Sequence, residues 1–272
     1  MKIGFVFTNF NNADFTINAI KSLQENIENY MIIVVDNFSD TIDKEKLRSL
    51  EKEIKYVKII FNDSNVGYFK GLNIGINYLR QYETQINCMV VGNNDVLFPN
   101  DFYQSIMQNV NLFSKYPVIS PDIVTNDGFH QNPHVIEKIS KIREFIYDLY
   151  HSSYFIAKLI IKLAKISKKY TSRGDEKQYQ IAQEIFQGYG ACYILTPLFF
   201  KNFKHLDSPT FLMYEEYFLT LQLQNKGFKV YYEPSISIKH IMHATTNKLP
   251  GKLKWKFSRD SHKLHRKTNK IF

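Results

Sequence analysis

Residues 30–40 read YMIIVVDNFSD. Tyr30 to Val35 are apolar without alternation, and the run then breaks into Asp36, Asn37, Ser39 and Asp40. A short unbroken apolar run bounded by turn-forming residues predicts a strand buried on both faces. The same grammar recurs on either side. Ile3 to Phe7 predicts a first strand, Val57 to Phe61 a third and Asn87 to Val91 a fourth. Between them lie helical segments: Ala13 to Asn26 with Ile17, Ile20 and Leu23 on one face, the charged stretch Lys44 to Lys52, and Gly71 to Tyr82. This alternation over the first hundred residues predicts a parallel, doubly wound α/β sheet. Ligands of such sheets sit at the carboxyl ends of the strands. The polar clusters Thr8 to Asn12, Asp36 to Asp40, Asn62 to Gly67 and Asn93 to Asp95 fall there.

The second half is less regular. Phe102 to Phe113 reads as helix, Val118 to Pro121 as a short strand, residues 134–183 as a strongly basic helical region, and Gly188 to Thr196 as a strand rich in small residues. Residues 213–240 read MYEEYFLTLQLQNKGFKVYYEPSISIKH. Glu215 and Glu216 open an apolar helix that Lys226-Gly227 ends. A strand from Phe228 to Tyr232, a proline at 234 and a second strand closing on His240 are expected next. Asn247 to Phe272 is a basic tail with one tryptophan, Trp255.

At 272 residues, 44% hydrophobic and 15% aromatic, the chain has ample material for a packed core. The net charge of +9 and pI near 9.2 favour an anionic partner: nucleic acid, an anionic membrane face or a nucleoside diphosphate. Cys88 and Cys192 form no CxxC pair and read as reduced core residues of a cytoplasmic protein. Polar Thr8-Asn9 ends the first apolar stretch too early for a signal peptide. No window of about 18 residues is free of charge, so no transmembrane helix is expected.

Four constellations carry chemistry. Asp95, in Asn93-Asn94-Asp95 after a buried strand, can hold a hard divalent cation; the same residues also suit a turn. Asp36 can accept from a nucleobase N–H or a ribose hydroxyl, or help cap the following helix. Asn65-Val66-Gly67-Tyr68-Phe69-Lys70-Gly71 opens a helix whose N–H groups and lysine can face phosphate, without Walker or GxGxxG spacing. Glu215 and Glu216 are adjacent, so both cannot lie on a helix's buried face, but both can be held by the dipole at its N-terminus. One could then act as a general base. His240 and His243 follow the last strand, and HxxH alone does not make a zinc site.

Together these motifs resemble the family 2 glycosyltransferases, inverting enzymes of the GT-A fold, over nearly the whole chain. Phe7-Thr8-Asn9-Phe10-Asn11 is similar to the family's first-strand element, Val34 to Asp40 to its Val-Asp-Asn-x-Ser-x-Asp signature, and Asn65-Val66-Gly67 to its Asn-x-Gly loop. Asn93-Asn94-Asp95 stands where the metal motif falls, Gly190-Ala191-Cys192 looks like the acceptor-side strand, and Glu215-Glu216 occupies the place of the Glu-Asp pair. The resemblance implies a single GT-A domain over 1–250, with a mixed sheet flanked by helices, a nucleotide half (1–100), and an acceptor half (101–246) carrying the basic insertion 134–183; residues 247–272 form the tail. It implies that Thr8, Asn11 and Asp36 hold the nucleoside of a UDP- or dTDP-sugar. Asn65, Gly67, Lys70, Asn93 and Asn94 would lie along the nucleotide, and Asp95 with His240 would bind Mg²⁺ or Mn²⁺. Glu216 would be the base and Glu215 its neighbour. Three departures stand out: Asn93 replaces an acid, Glu216 replaces the more usual Asp, and Leu221 to Gln224 carry no arginine where many relatives have one.

Tyr154 to Lys169 reads YFIAKLIIKLAKISKK. Lys158, Lys162, Lys165 and Lys169 recur on one side at helical spacing, and Phe155, Ile156, Leu159, Ile160, Leu163 and Ile166 fill the other. This is the pattern of an interfacial membrane helix, and equally of a helix whose apolar side packs on a core. Charge and family together point to a glycan acceptor linked to polyprenyl diphosphate, used in surface-polysaccharide (O-antigen or capsule) synthesis on the inner face of a membrane. A non-catalytic relative that binds a nucleotide sugar or glycan is the alternative. Nucleic-acid binding lacks any recognised motif, and a nucleotidyltransferase would want a Gly-rich basic loop after the first strand, which Thr8 to Asp14 is not.

Overall fold

The computed structural model describes residues 1–83, 85–166, 174–241 and 251–269. Its centre is one nine-stranded mixed sheet. Strands β1 (Lys2–Asn9), β2 (Tyr30–Asp36), β3 (Val57–Phe61) and β4 (Ile86–Asn93) run parallel in the order β3-β2-β1-β4. The sheet continues through β8 (Cys192–Leu195), β6 (Val118–Thr125), β9 (Val230–His240) and β5 (Val96–Leu97), and β7 (Gln183–Ile185) pairs with β9. β8 lies antiparallel to both β4 and β6.

Alternation along β1 explains the two layers. Phe5 and Phe7 face a cluster with Ile20, Leu47, Phe98 and Phe102, whereas Val6 faces Phe69, Leu72, Ile76 and Leu219 on the other side. Both faces are covered, so the strands need apolar residues at every position. α1 (Ala13–Lys21) and α2 (Thr41–Glu53) contribute to the first layer; α3 (Tyr68–Tyr82) and α8 (Glu215–Gln224) contribute to the second.

The sequence expectation of an α/β GT-A architecture matches this sheet. Several boundaries differ. The helix expected over Ala13 to Asn26 stops at Lys21 and gives way to a 3-10 turn, Gln24–Asn29. Phe102 to Phe113 divides into α4 (Phe102–Gln108) and a second 3-10 turn. The two strands expected on either side of Pro234 are one strand. Register with β6 jumps from Pro121–Glu233 to Asp122–Ser237, so the proline, which has no N–H to give a ladder, sits in the interruption.

The basic region 134–183 is helical only in part, as α5 (Lys141–Ser152) and α6 (Tyr154–Ile166), separated by extended Ser153. The segment read as a tail contains an 18-residue helix, α9 (Gly251–Thr268), packed on α5. Trp255 is buried there and donates from Nε1 to the Tyr150 carbonyl. The short helix Pro197–Asn202 is α7. Among the described residues no helix is long and apolar enough to cross a membrane.

Candidate active site

The carboxyl ends of β1, β2 and β4 meet where the strand order reverses. Register sets Asn9 beside Asp36 and Thr8 beside Asn93. Antiparallel pairing of β4 with β8 brings Gly190-Ala191 alongside, with the Asn93 N–H donating to the Ala191 carbonyl. Pairing of β5 with β9 sets His240 opposite Val96, next to Asp95. These four junctions surround a cleft of about 550 Å³, within the size range of small-molecule sites. Thr8, Asn11, Asn65, Gly67, Asn93, Asn94, Asp95 and His240 all line it.

Asp36 and Lys70 are not on that wall. Asp36 is fully buried beneath it, and its carboxylate accepts from Asn9 Nδ2 (2.9 Å), the Ser39 N–H and the Ser39 hydroxyl. Its observed work is to hold the β1 and β2 loops together. The cap of α2 is Asp40, which accepts from the Asp43 N–H. Lys70 is exposed on α3. Asn94 lines the cleft but is mostly spent on bracing: its Nδ2 reaches Asn9, Asn12 and Thr16 at 2.7–3.1 Å.

Asn65 Oδ1 accepts from the Gly67 N–H, turning the chain into α3. Gly67 has φ of 89°, and a Cβ there would lie 2.2 Å from the Phe211 carbonyl oxygen, so only glycine fits.

Asp95 and His240 form a buried pair, Oδ1 to Nε2 3.1 Å, with His240 Nδ1 2.7 Å from Gln131 Oε1. Gln131 therefore fixes the ring so that Nε2 faces the carboxylate, as an outer-shell partner does for a metal ligand. One carboxylate oxygen and one imidazole nitrogen suit a divalent cation chemically. Among the described residues no cluster of three or more His, Cys, Asp or Glu side chains could hold one alone, so an ion here would need further oxygens from a diphosphate or water. His243 lies outside the described residues.

Behind the cleft wall stand the two glutamates. Met213 and Tyr214 both have left-handed φ (72° and 68°) and swing the chain so that α8 starts at Glu215. Left-handed non-glycine residues cost of order 1–3 kcal/mol each and cluster at functional sites. The Tyr214 hydroxyl lies 2.9 Å from Nδ1 of His262 on α9, whose Nε2 lies 2.7 Å from Asp148 on α5. Burial keeps the His262 imidazole below its ordinary pKa. In that neutral ring Nε2–H donates to Asp148 and Nδ1 accepts from Tyr214.

Glu215 is buried, with Oε1 lacking a hydrogen-bond partner. Glu216 is half-buried, and its carboxylate packs so closely on Gly190 that a Cβ at 190 would lie 2.5 Å from Oε1. Both acids thus turn inward, against the expectation that adjacent carboxylates cannot share a buried face: the end of the helix, unlike its middle, lets Glu216 reach sideways to the β8 loop.

Burial, then the neighbouring Glu216 charge, hold the Glu215 carboxyl well above the ordinary range. Burial also raises Glu216, opposed by its own N–H and that of Gly190. A carboxyl with a raised folded pKa stabilises the fold below its unfolded pKa, near 4.3, and this contribution is lost as pH rises through the folded value. The melting temperature of wild type relative to Glu215→Gln is therefore expected to fall as pH rises from about 5 into the alkaline range. Parallel melting curves across that range would mean that the Glu215 carboxyl is not raised in the folded protein.

Sequence reasoning missed the aromatic partition. Tyr68 and Tyr189 line the cleft within reach of the charges of both Asp95 and Glu216, with the Tyr68 hydroxyl donating to the Gly190 carbonyl at 2.7 Å. Burial pushes the Tyr189 hydroxyl up to about 12, and the Glu216 and Asp95 charges add to this. Tyr68 immediately follows the Asn-x-Gly loop and Tyr189 immediately precedes Gly190-Ala191, which was the available signal. Phe211, Leu212, Leu253 and Phe257 complete the wall. Leu253 and Phe257 come from α9, which no local pattern placed there.

A family model for glycosyl transferase family 2 matches residues 5–170. The chain belongs to glycosyl transferase family 2. Solved structures with the same fold include S. aureus TarS 1–349 in complex with UDP-GlcNAc (TM-score 0.59, 9% identity, 92% of this chain and 62% of that one). GalNAc-T7 with UDP, GalNAc and Mn²⁺ gives TM-score 0.59 at 13% identity, over 92% of this chain and 45% of that one. The mannosyltransferase PcManGT from Pyrobaculum calidifontis with GDP-Man and Mn²⁺ gives 0.56 at 10% identity, over 97% of this chain and 62% of that one. The chain thus spans between 45% and 62% of the length of these three. Comparison with curated proteins found no match.

Proposed function

We propose that this chain transfers a sugar from a nucleoside diphosphate sugar, UDP- or dTDP-linked, to a hydroxyl of a lipid-linked glycan, with inversion, in building a surface polysaccharide. The observation that carries this reading is the juxtaposition of two unlike sites. The Asp95–His240 pair lines the cleft, and Tyr68 and Tyr189 on the same wall lie within reach of the charges of both Asp95 and Glu216.

In this reading Thr8, Asn11, Asn65 and Gly67 receive the nucleotide within residues 1–100, and residues 101–246 receive the acceptor. Asp95 and His240 would hold Mg²⁺ or Mn²⁺, which when bound supplies positive charge to the departing diphosphate. Glu216 takes the proton of the acceptor hydroxyl. That oxygen attacks the anomeric carbon from the face opposite the diphosphate, the carbon–oxygen bond to phosphate breaks, and the nucleoside diphosphate leaves. A raised carboxyl pKa suits a base that works near neutral pH. Mn²⁺ in two of the structural relatives is consistent with the metal.

A thermal-shift panel of UDP, dTDP, GDP and their sugars, with and without Mn²⁺, tests this. A metal-dependent rise of about 5–10 °C with one nucleotide is expected at ligand a hundredfold above Kd. No rise with any of them would overturn the reading.

A further inference from the structure

Helix α5 is inside-out. Its polar residues face the protein: Glu144 meets His265 and Arg266 of α9, Asp148 meets His262 and Arg266, and His151 meets Ser258. Its apolar residues face outward, with Ile142, Phe145 and Leu149 at 76%, 53% and 41% exposure. The next helix repeats the pattern. Among the described side chains of α6 only Ala157 is buried, while Phe155, Leu159 and Leu163, one stripe at four-residue spacing, are at 77%, 50% and 55% exposure. Packing on the core, the alternative left open by the sequence, is therefore not where these side chains go. Exposed Lys158 and Lys162 run beside the stripe. Scattered apolar residues on a surface need no explanation, but two consecutive helices with ordered outward stripes do.

We infer that the α5–α6 hairpin docks on an anionic lipid surface, apolar stripes among the acyl chains and lysines at the headgroups. Charge selects this occupant. The chain carries a net +9, so a second copy on the same face would set like charge against like, whereas anionic headgroups complement it. The position of the hairpin gives docking a use. α5 supports α9, and α9 lends Leu253 and Phe257 to the cleft. Docking leaves two packed helices, α5 and α9, between the headgroups and the cleft, about two helix diameters or roughly 20 Å. This serves the proposed lipid-linked acceptor and rests on that reading for its purpose, though the binding itself does not depend on catalysis.

The test is co-sedimentation of the full chain, without donor or acceptor, with vesicles of phosphatidylcholine alone or mixed with phosphatidylglycerol. Binding is expected only with phosphatidylglycerol and is expected to weaken with salt. Lys158→Gln with Lys162→Gln should weaken it about thirtyfold, and Phe155→Ser with Leu159→Ser by more than about tenfold. Unchanged far-UV dichroism and melting temperature would establish that these surface variants fold. Wild type left in the supernatant, variants that bind as well as wild type, or a dimer in sedimentation velocity that either pair of substitutions abolishes would each overturn the inference. Vesicle binding alongside a negative nucleotide panel would keep the docking surface and discard the transferase reading; the reverse pattern would do the opposite.

Discussion

Glu216→Gln is expected to lower sugar transfer by about 10²–10⁴-fold, the usual contribution of a positioned general base. The substitution keeps the size of the side chain and its contact with Gly190 but removes the basic oxygen. Donor affinity should be unchanged, because the residues proposed to receive the nucleotide, Thr8, Asn11, Asn65 and Gly67, are untouched. The melting temperature should not drop, since a carboxyl whose charge is disfavoured becomes a neutral amide. Turnover near that of wild type would remove Glu216 from the mechanism and leave Glu215, whose Oε1 has no partner, as the base to examine next.

Asp95→Ala is expected to abolish the metal-dependent part of nucleotide binding, a loss beyond about hundredfold, since even outer-shell partners of metal ligands are worth 10–100-fold. It also strips His240 of one of its two buried partners, at about 1–3 kcal/mol. Asp95→Asn separates the effects: it keeps the shape while removing the charge. In both variants the Mn²⁺-dependent thermal shift should vanish, and the smaller metal-free shift from Thr8, Asn11 and Gly67 should persist. A full Mn²⁺-dependent shift in either variant would exclude Asp95 as a metal ligand.

What was legible in the sequence follows the range of the interactions. β2 and β3 ended where their apolar runs ended, at Asp36 and Phe61, because a strand buried on both faces writes its length directly into composition. The polar clusters at Thr8, Asn65 and Asn93 to Asp95 reached one cleft because a parallel sheet puts successive strand ends side by side. The misreadings arose where a residue's partner is distant in sequence. The bonds from Asn9 and Ser39 to Asp36 were not visible in the sequence around it. Residues 247–272 read as a basic tail, yet Trp255 is held by Tyr150, 105 residues earlier, and Phe257 faces the cleft. The inverted polarity of α5 depends on ion pairs to residues more than a hundred positions later, which no local window contains.

The contribution of α9 to the cleft also has a consequence for the order of assembly. Every strand of the sheet is present once His240 has been synthesised, and domains tend to fold from the N-terminus as the chain emerges. At that moment the wall that takes Leu253 and Phe257 does not exist, and Tyr214 has no His262 to hold it. The cleft and the support of Tyr214 are thereby completed by the same late step: until α9 docks, one wall stays open and the turn before Glu215 lacks its buttress.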